Sequence, residues 1–300
     1  FDIGFRVEQS VGRAIVTHGP GGVVADLHQA VIALAVGGGV VAALAMDDAM
    51  HEIDRWALAV LNEVADAVAL VLESNTDWGL SGVRHTQYSV DVAADNAALA
   101  ILHAAGCAVL SEESERSGEF GADSIMVIMD PLDGSTNASR GVQWYATALC
   151  AIDQDGPRAA LVVNQASGKD RYWATRGDGA FHNGNRMSHS GCTELKQAVV
   201  GVSGLASFRP KWAQFRALGA AALDICLVAQ GVLDGWIDFH SHGVWDYMAS
   251  IMICEEAGVS FAEHEDRDLF VTEYASKRTP IVAATPELLD ALKGIRSNHG

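Results

Sequence analysis

The residues best able to do chemistry lie in one stretch, Ile128-Met129-Asp130-Pro131-Leu132-Asp133-Gly134-Ser135-Thr136-Asn137. The apolar run SIMVIM at 124–129 has the length of a buried strand and ends at Asp130, so two carboxylates three residues apart arrive where the chain turns. Pro131 fixes φ and Gly134 permits the turn, so both acids can face one point. Just beyond, the backbone N–H groups of Gly134 and Ser135 can bind an oxyanion, the more so if a helix starts there. Oxygen ligands beside an anion cradle describe a Mg²⁺ site that handles phosphate. The same residue types also build a tight turn held by Asx hydrogen bonds, and DPxDG alone does not separate the two.

Two further acidic segments bear on that choice. Glu112-Glu113, in SEES, follows a short apolar strand, and Trp245-Asp246 opens a later helix. Taken singly, Glu113 reads as a solvated loop acid and Asp246 as a helix cap. Thirty-eight acidic against twenty basic residues leave a formal charge of −18, which repels nucleic acid and anionic membranes. An anionic substrate therefore needs a local positive charge, and a metal ion is the obvious source. The five cysteines are odd in number, widely spaced and without a CxxC pair. That argues against a disulfide framework or a thiolate zinc site and for a reducing, cytoplasmic location.

Together the three acidic segments resemble the inositol monophosphatase family, within the lithium-sensitive, magnesium-dependent phosphatases. Its pattern GEES, DPxDGTTN, WDxAAGxxxxxEAGG is met by Ser111-Glu112-Glu113-Ser114, by Asp130 to Asn137, and by Trp245-Asp246 running to Glu256-Ala257-Gly258. Landmarks between them agree, among them Gly179-Ala180-Phe181-His182-Asn183-Gly184 and Ala221-Ala222-Leu223-Asp224. The resemblance implies a layered αβαβα sugar-phosphatase fold, α/β (α+β) in class. It implies two or three Mg²⁺ ions: Asp130 bridging two, Glu113 and the Leu132 carbonyl completing one site, and Asp133 with Asp246 the other. Ser135 stands for the family's threonine and would orient the attacking water with the glutamate; Gly134 and Ser135 N–H groups would hold the phosphate. Asp95 falls where the family has the aspartate of a weaker third metal site, although it also reads as the N-cap of the helix NAALAILHAAG. Asp238 is the nearest match to an acid that accepts hydrogen bonds from substrate hydroxyls, with one extra residue before Asp246. His240 and His242 fill that stretch and read as hydrogen-bonding loop histidines rather than metal ligands. Arg140 stands beyond Asn137, where the family carries an aromatic pattern.

The implied reaction is Mg²⁺-dependent hydrolysis of a small phosphomonoester, inositol 1-phosphate first. Histidinol phosphate, fructose 1,6-bisphosphate and 3′-phosphoadenosine 5′-phosphate stay open, as does a catalytically silent metal- or phosphate-binding regulator. Family members are commonly homodimers, and Trp144, Trp173 and Trp212 offer contact surface.

The elements that must position these residues follow from periodicity. Between 47 and 74, Ile53, Ala57, Val60, Leu61, Val64 and Val68 recur on one helical face, with His51, Asp54, Arg55 and Glu63 largely elsewhere on the wheel. A polar loop over 75–89 precedes the helix that Asp95 would cap and Gly106 would end. Strands are expected at 107–110, 124–129, 145–152, 159–164 and 171–175, with a hairpin at Asp153-Gln154-Asp155-Gly156. After Arg186 the texture alternates: strand 198–202, helix 219–230, strand 235–239, helix 244–257, strand 280–284, helix 286–295. Two subdomains are expected, 47–185 carrying the metal motifs and 186–300 contributing Asp246 and substrate contacts. Residues 1–46 read as an atypical extension outside the fold. The uncharged run at 30–46 is short of a membrane span, and Met46 or Met50 reads as the natural start.

Overall fold

The protein is described from a computed structural model covering residues 52–84, 87–168 and 170–299, with the backbone of three short antiparallel strands before them. These are β1 (Val7–Ser10), β2 (Arg13–Val16) and β3 (Val23–Val24). The apolar run at 30–46 and the start at Met46 or Met50 lie outside the described residues, as does most of the 1–46 extension.

Helix α1 (Glu52–Ser74) buries the expected stripe, including Ala57, Leu61, Val64 and Val68. Asp54 is buried with it, because Arg158 from the adjoining sheet meets its carboxylate at 2.7 Å. Helix α2 (Ser89–Ala104) begins six residues before Asp95. Asp95 is thus a buried mid-helix residue and not an N-cap; Asp91, in the first turn, accepts the Tyr88 N–H at 2.8 Å instead.

Strands β4 (Ala108–Ser111), β5 (Glu115–Ser117) and β6 (Met126–Asp133) follow. After the short helix α3 (Ser135–Arg140) come β7 (Ala146–Asp153), β8 (Gly156–Asn164), β9 (Arg171–Thr175), β10 (Gly179–His182) and β11 (Asn185–Arg186). They form an eight-stranded sheet in the order β11-β10-β9-β8-β7-β6-β4-β5, in which the β4–β6 pair is parallel. Its central strands are apolar on both faces because both are covered. Val109, Val127, Met129, Leu149 and Leu161 pack toward α1 and α2. Their neighbours Leu110, Ile128, Ala148, Cys150 and Val162 pack the other way.

The remaining elements are β12 (Val199–Ser203), β13 (Gln214–Arg216), α4 (Ala221–Ala229), β14 (Gly235–Asp238), β15 (His242–Gly243) and α5 (Val244–Glu256). After them come β16 (Ser260–Glu263), β17 (Lys277–Arg278), β18 (Pro280–Ala283) and α6 (Pro286–Ser297). A five-stranded sheet runs β13-β12-β14-β18-β16. Trp236 and Val282 pack toward α4 and α5, whereas Ile237, Ile281 and Ala283 meet Leu288 and Leu292 of α6. Helices α4 and α5 lie between the sheets and are apolar nearly all round, as a middle layer requires. The layering is αβαβα, as the motifs imply.

The run expected to end at Met129 stays in the ladder to Asp133. The register against β7 slips between Asp130 and Asp133, which accommodates Pro131, a residue with no N–H to donate. Strands β13 and β16 and the pair β15–β17 had no counterpart among the expected elements.

Candidate active site

Parallel pairing sets the first two acids side by side. Ser111 is opposite Met129, and the Glu112 N–H donates to the Met129 carbonyl at 3.2 Å, so the ladder holds Glu112 at the start of the turn that follows β4. Side chains along an extended chain alternate between faces. Leu110 and Ile128 face the α4–α5 layer, and so therefore do Glu112 and Asp130. Asp246, in the first turn of α5, accepts the Gly243 N–H at 2.8 Å. Carboxylate oxygens of Glu112, Asp130 and Asp246 all lie within 4.8 Å of one another.

This arrangement differs from the expected one at a single position. Glu113 was expected beside Asp130; the structure brings Glu112 there. Glu113 falls on the opposite parity, toward α2, where it accepts a hydrogen bond from Gln87. The alternation of Ala108-Val109-Leu110-Ser111 carries the signal for this up to Glu112, where the turn at 112–114 begins.

Asp133 completes the group from β6. Its Oδ2 accepts the Ala222 N–H at 2.7 Å and docks the start of α4 onto the turn, while Asp130 accepts the Leu132 N–H at 2.9 Å. Leu132 lies buried in the slipped segment, and Thr147 donates to the neighbouring Pro131 carbonyl at 2.9 Å. Gly134 has φ +83°, and a Cβ there would sit 3.1 Å from the Gly219 carbonyl oxygen and 3.2 Å from that of Trp144. Asn137 donates to the Trp144 and Leu218 carbonyls, 2.8 Å each, and holds the same two segments together. Ser135 is the first residue of α3, and Arg140 is exposed at its end.

Burial is the leading cause of a raised pKa at each of the four acids, and their mutual repulsion adds to it. Glu112 is pushed up to about 8, with the Asp246 charge the next contributor, and Asp133 likewise to about 8. Asp130 is raised well above the carboxylate range by burial, then by Glu112, Asp133 and Asp246. Asp246 is raised by burial, against which the His242 and Lys277 charges act. Among the described residues, no lysine or arginine forms an ion pair with any of the four. A cluster of hard oxygen donors, crowded and unneutralised, fits a hard divalent cation.

The α2 side of the same strand ends is furnished differently. Asp95 accepts hydrogen bonds from Ser111 and, at 3.3 Å, from Ser114. Arg84 donates to the Glu112 and Glu113 carbonyls at 2.8 and 2.9 Å, and the Tyr274 hydroxyl donates to the Glu112 carbonyl at 2.8 Å. Asp91 was absent from the expected set, yet its Oδ1 is buried without a partner. Burial first, then the Glu113 charge, pushes Asp91 up to about 7.

A cleft of about 240 Å³ opens beside the acids, with Asp133, Asp246, His242, Ser203 and Ala220 among its walls. Asp238, expected to meet substrate hydroxyls, is fully buried, and both its oxygens are engaged. One accepts the His240 N–H at 2.8 Å and the other faces His242 Nδ1 at 2.8 Å. That carboxylate therefore lies behind a histidine. Asp224, whose carboxylate takes the Trp144 indole N–H at 2.7 Å, also lines the cleft and was likewise missed.

Five alternating layers with buried acids converging at strand ends and a helix start define a metal-dependent phosphomonoester phosphatase of the sugar-phosphatase fold. The chain belongs to the inositol monophosphatase family, whose profile matches residues 50–299. It is 31% identical over 257 residues to the fructose-1,6-bisphosphatase/inositol-1-monophosphatase of Archaeoglobus fulgidus, covering 80% of this chain and 99% of that one. It is 35% identical over 190 residues to the Nus factor SuhB of Pseudomonas aeruginosa, covering 56% of this chain and 69% of that one. The crystal structure of the extragenic suppressor protein suhB from Bartonella henselae superposes with a TM-score of 0.66 at 25% identity, covering 81% of this chain and 99% of that one. Family membership makes the protein a phosphoric monoester hydrolase. Among the described residues, no helix is long and apolar enough to cross a membrane.

Proposed function

We propose that the protein hydrolyses a small polyol phosphate, inositol 1-phosphate before others, using two Mg²⁺ ions. The observation that carries this reading is the convergence of Glu112, Asp130 and Asp246 within 4.8 Å, with Asp133 alongside. Glu112, Asp130 and the Leu132 carbonyl would hold one ion, and Asp130, Asp133 and Asp246 the other. When bound, such ions lower the pKa of a coordinated water and neutralise charge on phosphoryl oxygens. Gly134 and Ser135 would present backbone N–H groups to the phosphate, and the Ser135 hydroxyl with Glu112 would orient the attacking water. A third ion, if taken, would fall to Asp91 and Glu113, since Asp95 is already engaged by two serines. The assembly we propose is a homodimer.

Fructose 1,6-bisphosphate is the second reading. A neighbouring pocket of about 610 Å³ shares Val202 and Gly204 with the cleft and carries Arg209 and Arg216, which suit a second phosphate.

The test is phosphate release by the full chain from inositol 1-phosphate, fructose 1,6-bisphosphate, histidinol phosphate and 3′-phosphoadenosine 5′-phosphate. Each is run with Mg²⁺, with Mg²⁺ plus Li⁺, and with EDTA. Turnover that requires Mg²⁺, is fastest on inositol 1-phosphate and is lost by about 10³-fold in Asp133→Asn is the expected result. Equal rates in EDTA, or no turnover from folded protein, would overturn it.

A further inference from the structure

Two residues of the cleft lining, Ser203 and His242, are backed by the buried Asp238, each from a different segment. Ser203 ends β12 and pairs in register with Asp238 of the parallel strand β14. His242 lies on β15, held by its antiparallel partner Arg278. The imidazole turns Nδ1 to the buried Asp238 carboxylate at 2.8 Å, and its Nε2 lies 3.5 Å from the Ser203 hydroxyl. Ser203 and His242 both line the cleft with Asp133 and Asp246.

A carboxylate on Nδ1 keeps the proton on that nitrogen and fixes the ring, so Nε2 is presented to the cleft. A protonated imidazole has no lone pair to offer a cation, which sets His242 apart from the acids that line the same cleft. The charged imidazole that acts on Asp246 donates from Nε2, and the Ser203 hydroxyl beside it can accept, so the two can engage one alcohol group. At about 240 Å³ the cleft is below the roughly 300 Å³ at which drug-sized pockets begin, so what it holds is small. Building on the phosphatase reading above, we propose that His242 and Ser203 are the specificity-determining contacts for a free hydroxyl on the substrate's alcohol half, with Asp238 as their positioning residue. The substrate class is then a phosphomonoester of a compact polyol, and esters of simple phenols are excluded from this contact.

Steady-state kinetics of His242→Ala, Ser203→Ala and Asp238→Asn on inositol 1-phosphate and on phenyl phosphate test this. In His242→Ala, KM for inositol 1-phosphate rises at least tenfold while kcat changes less than threefold. The kcat/KM loss is at least tenfold larger on inositol 1-phosphate than on phenyl phosphate. Asp238→Asn shows the same selective pattern more weakly, and His242→Gln, which keeps a polar group at the position, recovers part of it. A loss equal on both esters, or no loss, overturns the proposal. Calorimetric titration of myo-inositol into protein with Mg²⁺ and inorganic phosphate reads the contact without turnover. Binding at least fivefold weaker in His242→Ala supports the proposal, and equal affinity overturns it. Absence of turnover by the unsubstituted protein would instead sink the phosphatase reading, so the two failures are distinct.

Discussion

Toward α2, most acids beside the ends of β4 and β6 sit among donors: Asp95 has two serine hydroxyls, Glu113 has Gln87 and Arg84 lies close by, whereas Asp91 keeps one oxygen without a partner. Toward α5, Glu112, Asp130, Asp133 and Asp246 have three backbone amides and one another. The faces are separated by the thickness of one strand, and both are acidic and buried. What differs is where the compensating charge and hydrogen bonds come from. The protein supplies most of them on the α2 face and few on the α5 face. Burial of acids is therefore a weaker guide to a metal centre than burial of acids lacking side-chain partners.

The sharpest way to break this comparison is to neutralise one glutamate at a time. Glu112→Gln should lower Mg²⁺-dependent phosphate release by about 10²-fold or more, and Glu113→Gln by less than about tenfold. The reverse ranking would place the centre on the wrong face. A smaller effect is expected from the clamp between the faces. Arg84→Ala frees the Glu112 and Glu113 carbonyls and should raise the Mg²⁺ concentration for half-maximal activity about tenfold, with maximal rate little changed. An unchanged metal titration would show that the strand ladder alone orients Glu112.

The smallest effect is thermal. In metal-free protein the folded state holds protons on Glu112 and Asp133 up to about pH 8, whereas the unfolded chain releases them near 4. The folded state then binds more protons, so stability is greatest below about pH 4 on this account and declines as pH rises to 8. The melting temperature in EDTA should fall between pH 5 and 8, and added Mg²⁺ should raise it more at pH 8 than at pH 5. A flat profile in EDTA would mean that the four acids do not repel one another as their packing indicates.

Much of this was legible in the chain because the decisive segments carry strong local signals. The SIMVIM run and the turn chemistry of Asp130 to Asn137 mark a strand and its exit, and the small apolar helix after Gly219 reads as buried. The α2 start was less visible: Asp95 looks like a cap, but Asp91 serves the first turn, and only the sheet beneath shows that Asp95 is inside. The exposed strand β13, three residues long, owes its existence to a parallel partner fifteen residues upstream, which no local pattern reveals. Glu113 and Asp238, which the structure does not bring to the converging acids, stand apart for related reasons. Each was placed by motif position, whereas strand parity decides which way a side chain points, and a histidine stands in front of Asp238.

That parity also constrains how the gene can change length. Inserting one residue between Gly106 and Glu112 would bring Ser111 to the acid cluster in place of Glu112, whereas deleting one would bring Glu113 there, with composition and hydrophobicity almost untouched. A two-residue change would restore the facing but carry Glu112 about 7 Å along the strand, away from Asp130. Single deletions in this segment should therefore be tolerated better than single insertions or two-residue changes, a bias to seek when a library of natural or engineered variants is sorted for activity.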